Sequence, residues 1–322
     1  MEENILIVHG GCPTAVINGS LYGAVTEARK YPQLQHIYAA RNGTGGLLRE
    51  ELIDLTNVEE EKLKLLLQTP GSAIGTSRDQ LEKPEYEKMA EILKKHHIRY
   101  VLFNGGNGTM DTCGKLYKTC LEKGIEVGVM GIPKTMDNDI AVTDHSPADE
   151  DGVGPDLIYL PERPFDEEKY LEDVKALLKK KSGIVVVASE GLKDKEGKPV
   201  VKPIFQIGRA TYFGDVSAHL ANLVIEKLGY KARGEKPGLL GRASICLQSP
   251  VDLKEAQLAG EIACRAVMEG ETGKMVAFER VSTEPYIMKP FLADIERVMM
   301  YEHKMPDSYI NPEGNQVTEA FK

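Results

Sequence analysis

The stretch VLFNGGNGTMDT, Val101 to Thr112, decides how this chain is read. Its first part is an apolar run of strand character, and from Met110 a helical pattern runs to Lys123. Gly105, Gly106 and Gly108 fall at the junction, where a helix begins with main-chain N–H groups that have no partner within the helix. Such a junction can receive an anion: the glycines allow close approach to the backbone, and Asn107 and Thr109 can orient a phosphate or a hydrated cation. The competing reading is a plain strand-to-helix turn with Thr109 as N-cap.

Outward from this junction the same alternation recurs. Runs rich in Val, Ile and Tyr at 5–9, 37–40, 100–103, 127–131, 157–160, 184–188 and 275–278 read as strands. Helical patterns at 17–30, 84–96, 110–123, 167–181, 215–228 and 253–268 lie between them. The expected fold class is α/β, with two lobes, each a mostly parallel sheet flanked by helices, which 322 residues can accommodate. The acidic, Gly/Pro-rich stretch HSPADEDGVGPD at 145–156 is the expected boundary. It divides a first lobe, 1–144, from a second, 145–250, with 251–322 returning to pack on the first. The segment LKDKEGKPVVKP at 192–203 reads as a charged surface loop or hairpin, and Lys179–Lys181 as a solvated helix end.

Composition excludes several classes. A formal net charge of −9 argues against a nucleic-acid surface, so any phosphate chemistry must use a local basic site. No apolar run approaches the ~20 residues of a membrane span, and no basic region precedes the apolar stretch of MEENILIVHGG, which together imply a cytoplasmic protein. The five cysteines form no CxxC pair and read as reduced thiols. Cys113 and Cys120 share a helix face but have no metal-ligating partners nearby in sequence.

Three further glycine-rich segments resemble the opening one in kind: HGGCPTAVING (His9–Gly19), RNGTGGL (Arg41–Leu47) and PGSAIGTSR (Pro70–Arg78). All are read as following a strand and preceding a helix. One such loop is weak, since tight turns alone require glycine, but four within 112 residues is a stronger signal. Arg78 ends its loop with a fork suited to phosphate oxygens. A second cluster, GIPKTMDNDI (Gly131–Ile140), packs an amine, a hydroxyl, an amide and two carboxylates just past an apolar run. Open α/β sheets place ligands at that end of a strand. Phosphoryl transfer needs positioning, charge neutralisation and a base for the acceptor hydroxyl, commonly with Mg²⁺ on the phosphate oxygens. Asp137 and Asp139 alternate along an extended segment and so face different ways, one to take a proton and the other to hold the cation. Lys134 and Thr135 would steady phosphate groups. Capping of a helix by one Asp would leave the rest of the cluster unexplained.

GGNGT together with PKTMDND, preceded by GGCPTAVING and PGSAIGTSR, resembles the phosphofructokinase family, and later segments such as LIYLPERPFDEEKYLEDV, VVVASEGLKD and TGKMVAFERVS extend the likeness over most of the chain. PKTxDND is the most specific of these motifs. The resemblance implies transfer of the ATP γ-phosphoryl to the 1-hydroxyl of fructose 6-phosphate with Mg²⁺, by a homo-oligomer. It makes Asp137 the base, with Thr135 at the acceptor hydroxyl and Lys134 at a phosphate. Asn107 and Asp139 fall at the magnesium, and Gly11, Arg78, Gly105, Gly106, Gly108 and Thr109 on the donor side. Glu190, Arg233 and Arg242 fall on the sugar phosphate. Gly108 favours ATP, because the family's pyrophosphate users carry Asp there; Lys134 resembles the pyrophosphate-using branch, which is the alternative. Three departures stand out. Asn107 replaces an Asp, Gly241 and Leu239 replace a Gln and an aromatic or His, and a family segment ending near Met-Gly-Arg is missing between TDHSP and PDLIYLPE. Loss of that segment makes a catalytically silent phosphate-binding or regulatory subunit the remaining alternative.

Overall fold

The computed structural model describes residues 3–136, 138, 140–143, 155–207 and 210–321. Asp137, Asp139 and most of the 145–156 connection lie outside them. In chain order the elements are β1 (Glu3–His9), α1 (Ile17–Ala28), β2 (Leu34–Ala40), α2 (Gly43–Leu48), β3 (Leu52–Asp54), α3 (Glu60–Lys64), α4 (Lys83–Lys95), β4 (Ile98–Gly105), α5 (Asn107–Glu122) and β5 (Gly128–Pro133). There follow β6 (Leu157–Tyr159), α6 (Glu167–Leu178), β7 (Val186–Ala188), β8 (Pro203–Ile207), β9 (Ala210–Phe213), α7 (Val216–Leu228), α8 (Gly238–Ala243), α9 (Pro250–Met268), β10 (Lys274–Thr283) and β11 (Tyr286–Asp294).

The chain forms two compact units, Met1–Asp151 with Gly238–His303, and Gly152–Pro237 with Lys304–Lys322. This division differs from the lobes read from sequence: 238–250 belongs with the first unit and 304–322 with the second.

The first unit is a seven-stranded sheet in the order β11-β10-β5-β4-β1-β2-β3. Its middle five strands are parallel, and β3 and β11 close the two edges antiparallel. The central residues of β1, ILIV at 5–8, and of β4, YVLF at 100–103, are continuously apolar because both faces are covered. One face packs Leu6, Val8 and Phe103 against Met89, Leu93, Met110 and Leu116 of α4 and α5. The other packs Ile5, Ile7 and Leu102 against Leu21 and Val25 of α1 and Ala259 and Ala263 of α9. Helices α1 and α9 touch backbone to backbone. A Cβ added to Gly23 would stand 2.0 Å from the Gln257 carbonyl oxygen, and one added to Gly260 2.0 Å from that of Ser20.

The second unit pairs β6 with β7 in parallel and β8 with β9 antiparallel. Leu157 and Tyr159 of β6 bury against Tyr170 and Val174 of α6 and Leu220 and Val224 of α7. Asp166 caps α6 and Asp215 caps α7 through main-chain N–H groups. The charged segment 192–203 turns back on itself, with Lys193 bridging Pro199, as the hairpin reading expects. Strands β3, β8, β9 and β11 and helices α2, α3 and α8 are absent from the sequence reading, each being short, glycine-rich or exposed.

Candidate active site

β1, β4 and β5 are neighbours whose carboxyl ends fall level, His9 beside Asn104 and Gly105 beside Pro133. From β1 the chain crosses to β2 on one side and later returns to β4 on the other, so the sheet's switch point lies between β1 and β4. Three of the sequence-derived segments emerge there.

The Gly10 N–H donates to the Asn104 carbonyl at 2.9 Å, and the Lys134 N–H to the Gly105 carbonyl at 3.0 Å. These bonds carry the strand ladder into the turns and hold them together. The turns need their glycines. A Cβ on Gly10 or Gly105 would each lie 2.3 Å from Thr109 Oγ1, and that of Gly105 also 2.7 Å from the Gly10 carbonyl oxygen. Gly11 has a φ of +72°, a conformation that favours glycine. Gly108 differs: among the described residues an added Cβ there meets no atom within 4 Å.

Gly106, with φ −82° and ψ −164°, is the N-cap of α5, and its carbonyl accepts from the Thr109 and Met110 N–H groups. The Thr109 N-cap reading is therefore corrected: Thr109 is the third residue of the helix, and its buried side chain packs under the turn. The N-cap is a glycine, so it has no side chain of its own to cap the first N–H groups of α5, at the positive end of the helix dipole.

Lys134 leaves the end of β5 only 3% exposed, and its ammonium donates to the Cys12 carbonyl oxygen. Thr135 is buried beside α5, its Oγ1 3.9 Å from where a Gly106 Cβ would sit. The Asn107 side-chain oxygen is buried at the first position of α5. Thus Gly11, Gly105, Gly106, Asn107, Gly108, Thr109, Lys134 and Thr135 meet at one sheet edge.

The segment 70–78 reaches that edge by a different route from the one its sequence suggests. It follows a short 3₁₀ turn at Leu65–Gln68 rather than a strand. Asn18, buried in α1, donates to the carbonyls of Thr69 and Gly71 at 2.8 Å each and accepts from the Ala73 N–H at 2.9 Å. Ser77 accepts from the Gly45 N–H of α2 at 3.3 Å, and Arg78 follows it, exposed. The RNGTGGL glycines lie largely within α2, where an added Cβ on Gly46 would meet the Arg41 carbonyl oxygen at 1.5 Å.

Glu190 and Arg233 belong to the second unit, whereas Arg242 closes α8 in the first. Glu190 faces Lys236, N to O 3.7 Å, with both side chains more than half exposed, a pair worth little by itself. Among the described residues no group of three or more His, Cys, Asp or Glu is placed to hold a metal.

The sequence reading missed a buried polar pair. His9 closes β1 and Asn104 lies near the end of β4, both wholly buried. His9 Nδ1 lies 2.8 Å from Ser72 Oγ and its Nε2 3.3 Å from Asn104 Nδ2. Burial, reinforced by the Lys134 charge, pulls the imidazole pKa from 6.5 down to about 3, so His9 is neutral at physiological pH. The signal was a His and an Asn, each just before glycine, following the apolar runs ILIV and YVLF.

With this geometry in view, the likeness to known proteins is specific. Residues 4–147 match the family model described as phosphofructokinase. A pyrophosphate–fructose 6-phosphate 1-phosphotransferase from Xanthomonas campestris pv. campestris is 34% identical over 380 aligned positions, covering 99% of this chain and 90% of the relative. One of the same name from Rhodospirillum rubrum is 30% identical, covering 99% and 92%. The crystal structure of a pyrophosphate-dependent phosphofructokinase from Nitrosospira multiformis superposes with a TM-score of 0.88 at 28% identity, covering 99% of this chain and 90% of that one. The Xanthomonas alignment is longer than this 322-residue chain, so that relative carries residues this chain lacks. The chain belongs to the phosphofructokinase family and is a phosphotransferase with an alcohol group as acceptor.

Proposed function

We propose that this protein transfers a phosphoryl group between pyrophosphate and the 1-hydroxyl of fructose 6-phosphate. The observation that carries the donor is Lys134, a buried ammonium drawn onto the glycine turn after β1, where a compact, highly charged anion can meet it beside the glycine N-cap of α5. The full-length relatives named above support this donor over the ATP expected from Gly108. ATP is the second reading, and the space at Gly108 favours it, because among the described residues no side chain there fills the room a nucleotide's α-phosphate needs.

In this reading the N–H groups of the turns at Gly11 and Gly106–Gly108, with Lys134 and Arg78, bind the donor and take up its charge. Thr135 orients the acceptor hydroxyl and Asp137 accepts its proton. Asn107 and Asp139, as oxygen ligands, would hold Mg²⁺, which would supply charge neutralisation at the donor phosphates. Glu190, Arg233 and Arg242 would bind the sugar phosphate. A homo-oligomer in the cytoplasm completes the reading; no helix among the described residues is long and apolar enough to cross a membrane.

The test incubates the pure protein with Mg²⁺ and fructose 6-phosphate, adding pyrophosphate or ATP in parallel, and measures the 1,6-bisphosphate formed. Product from pyrophosphate alone supports the reading. Product from ATP alone replaces it with the second, and donor binding without product in either arm identifies a silent subunit.

A further inference from the structure

The hydrogen-bond chain behind the donor turns fixes a proton. The Ile17 carbonyl oxygen can only accept, and the Asn104 side-chain amide lies 3.1 Å from it through Nδ2. Turning that amide over would set its oxygen against the Ile17 carbonyl, so the nitrogen faces both Ile17 and His9 Nε2. Nε2 therefore accepts, and the ring proton of neutral His9 sits on Nδ1. That N–H donates to Ser72 Oγ at 2.8 Å. A hydroxyl whose oxygen already accepts from His9 keeps its own proton for another partner. Among the described residues His9 is the hydrogen-bond partner of the Ser72 hydroxyl, and Ser72 itself is partly exposed.

Ser72 stands on the loop that Asn18 fastens at 69–73, and through His9 it is tied to the strand ends that bear the glycine turns. We propose that Ser72 is a binding residue for the phosphoryl donor, presenting its hydroxyl proton to a donor phosphate oxygen, with His9 and Asn104 as positioning residues that aim it. The inference rests on the phosphoryl-transfer reading of this edge and holds for either donor.

A Ser72 hydroxyl aimed by His9 has two consequences that packing alone would not have. In protein labelled with ¹⁵N at histidine, His9 has the Nδ1–H tautomer and does not titrate between pH 5 and pH 9. Ser72→Ala weakens donor binding about 10–100-fold, the loss expected for one hydrogen bond to a charged acceptor, while Ser72→Thr retains most of it and fructose 6-phosphate KM is unchanged. Binding is read calorimetrically with Mg²⁺ and both pyrophosphate and ATP, on wild type and both variants, with thermal midpoints as the folding control. Preference of the wild type for ATP, with the Ser72→Ala loss now seen on ATP, overturns the pyrophosphate reading and leaves Ser72 in place. Unchanged donor affinity in folded Ser72→Ala, an Nε2–H His9, or a wild type that binds neither donor overturns the role given to Ser72.

Discussion

Alanine placed singly at Gly105, Gly106 and Gly108 tests whether the turn after β4 is a tight joint or a loose one. At Gly105 the new Cβ would lie 2.3 Å from Thr109 Oγ1 and 2.7 Å from the Gly10 carbonyl oxygen. An ordinary contact is ~3.5 Å, so the neighbours must yield by about 1 Å, and one of them is the backbone of the turn after β1. Overpacking of this kind costs ~1–3 kcal/mol, a fall in melting midpoint of roughly 2–10 °C for a unit of this size. The displaced N–H groups matter more: a 1 Å misplacement of a binding group can lower turnover by ~10²-fold. At Gly106 the closest atom to the new Cβ is the Lys134 carbonyl oxygen at 3.5 Å, an ordinary contact, so a small loss is expected. At Gly108 nothing among the described residues lies within 4 Å, and alanine in the first turn of α5 should stabilise by up to about 1 kcal/mol. Calorimetric midpoints and bisphosphate formation, measured on the three variants together, should rank Gly105→Ala worst by a wide margin. Equal behaviour of Gly105→Ala and Gly108→Ala would refute the packing argument for this edge.

Asp137→Asn should reduce turnover by ~10²–10⁴ with donor affinity nearly intact, as for a lost general base; an unchanged rate removes Asp137 from that role. Gly108→Asp should fit without strain, since the space is open, and should remove any ATP-dependent activity while sparing pyrophosphate; persisting ATP affinity would sink the steric part of the donor argument. His9 makes stability pH-dependent. Its folded pKa of about 3 lies below the unfolded 6.5, so the unfolded chain binds the extra proton and stability falls as pH drops from 6.5 toward 3, by up to about 1.4 kcal/mol per pH unit from this group. Denaturant melts of wild type and His9→Gln across that window should differ in slope, and parallel curves would show that His9 is not buried neutral.

The parallel sheet and the glycine turns were legible because strands covered on both faces must be apolar throughout, and because a ligand that meets the backbone demands glycine. The run Tyr100–Gly106 carries both marks. The short elements were not legible: α2, GTGGLL, is a helix whose first four residues disfavour one, held by Asn42 and the 70–78 loop. The route of that loop depends on Asn18, a polar residue in an otherwise apolar helix face, whose partners lie more than 50 residues away. His9 was equally hidden, since a histidine ending a strand gains its meaning only when Asn104, 95 residues on, comes alongside. The edge strand β11 escaped because its exposed face alternates weakly. Which unit owns residues 238–250 and 304–322 is a matter of tertiary packing that no local pattern records.

The glycine-to-backbone crossing of α1 and α9 sets an order of events for a chain emerging from the ribosome. Until residues near 260 are made, α1 has no partner for the flat side where Gly23 sits, and β5 has no neighbour beyond it until β10 follows. The stretch matched by the family model is thus not a self-sufficient folding module. Expressed without the later segment, it should bare one helix face and one strand edge and associate with whatever apolar surface it meets.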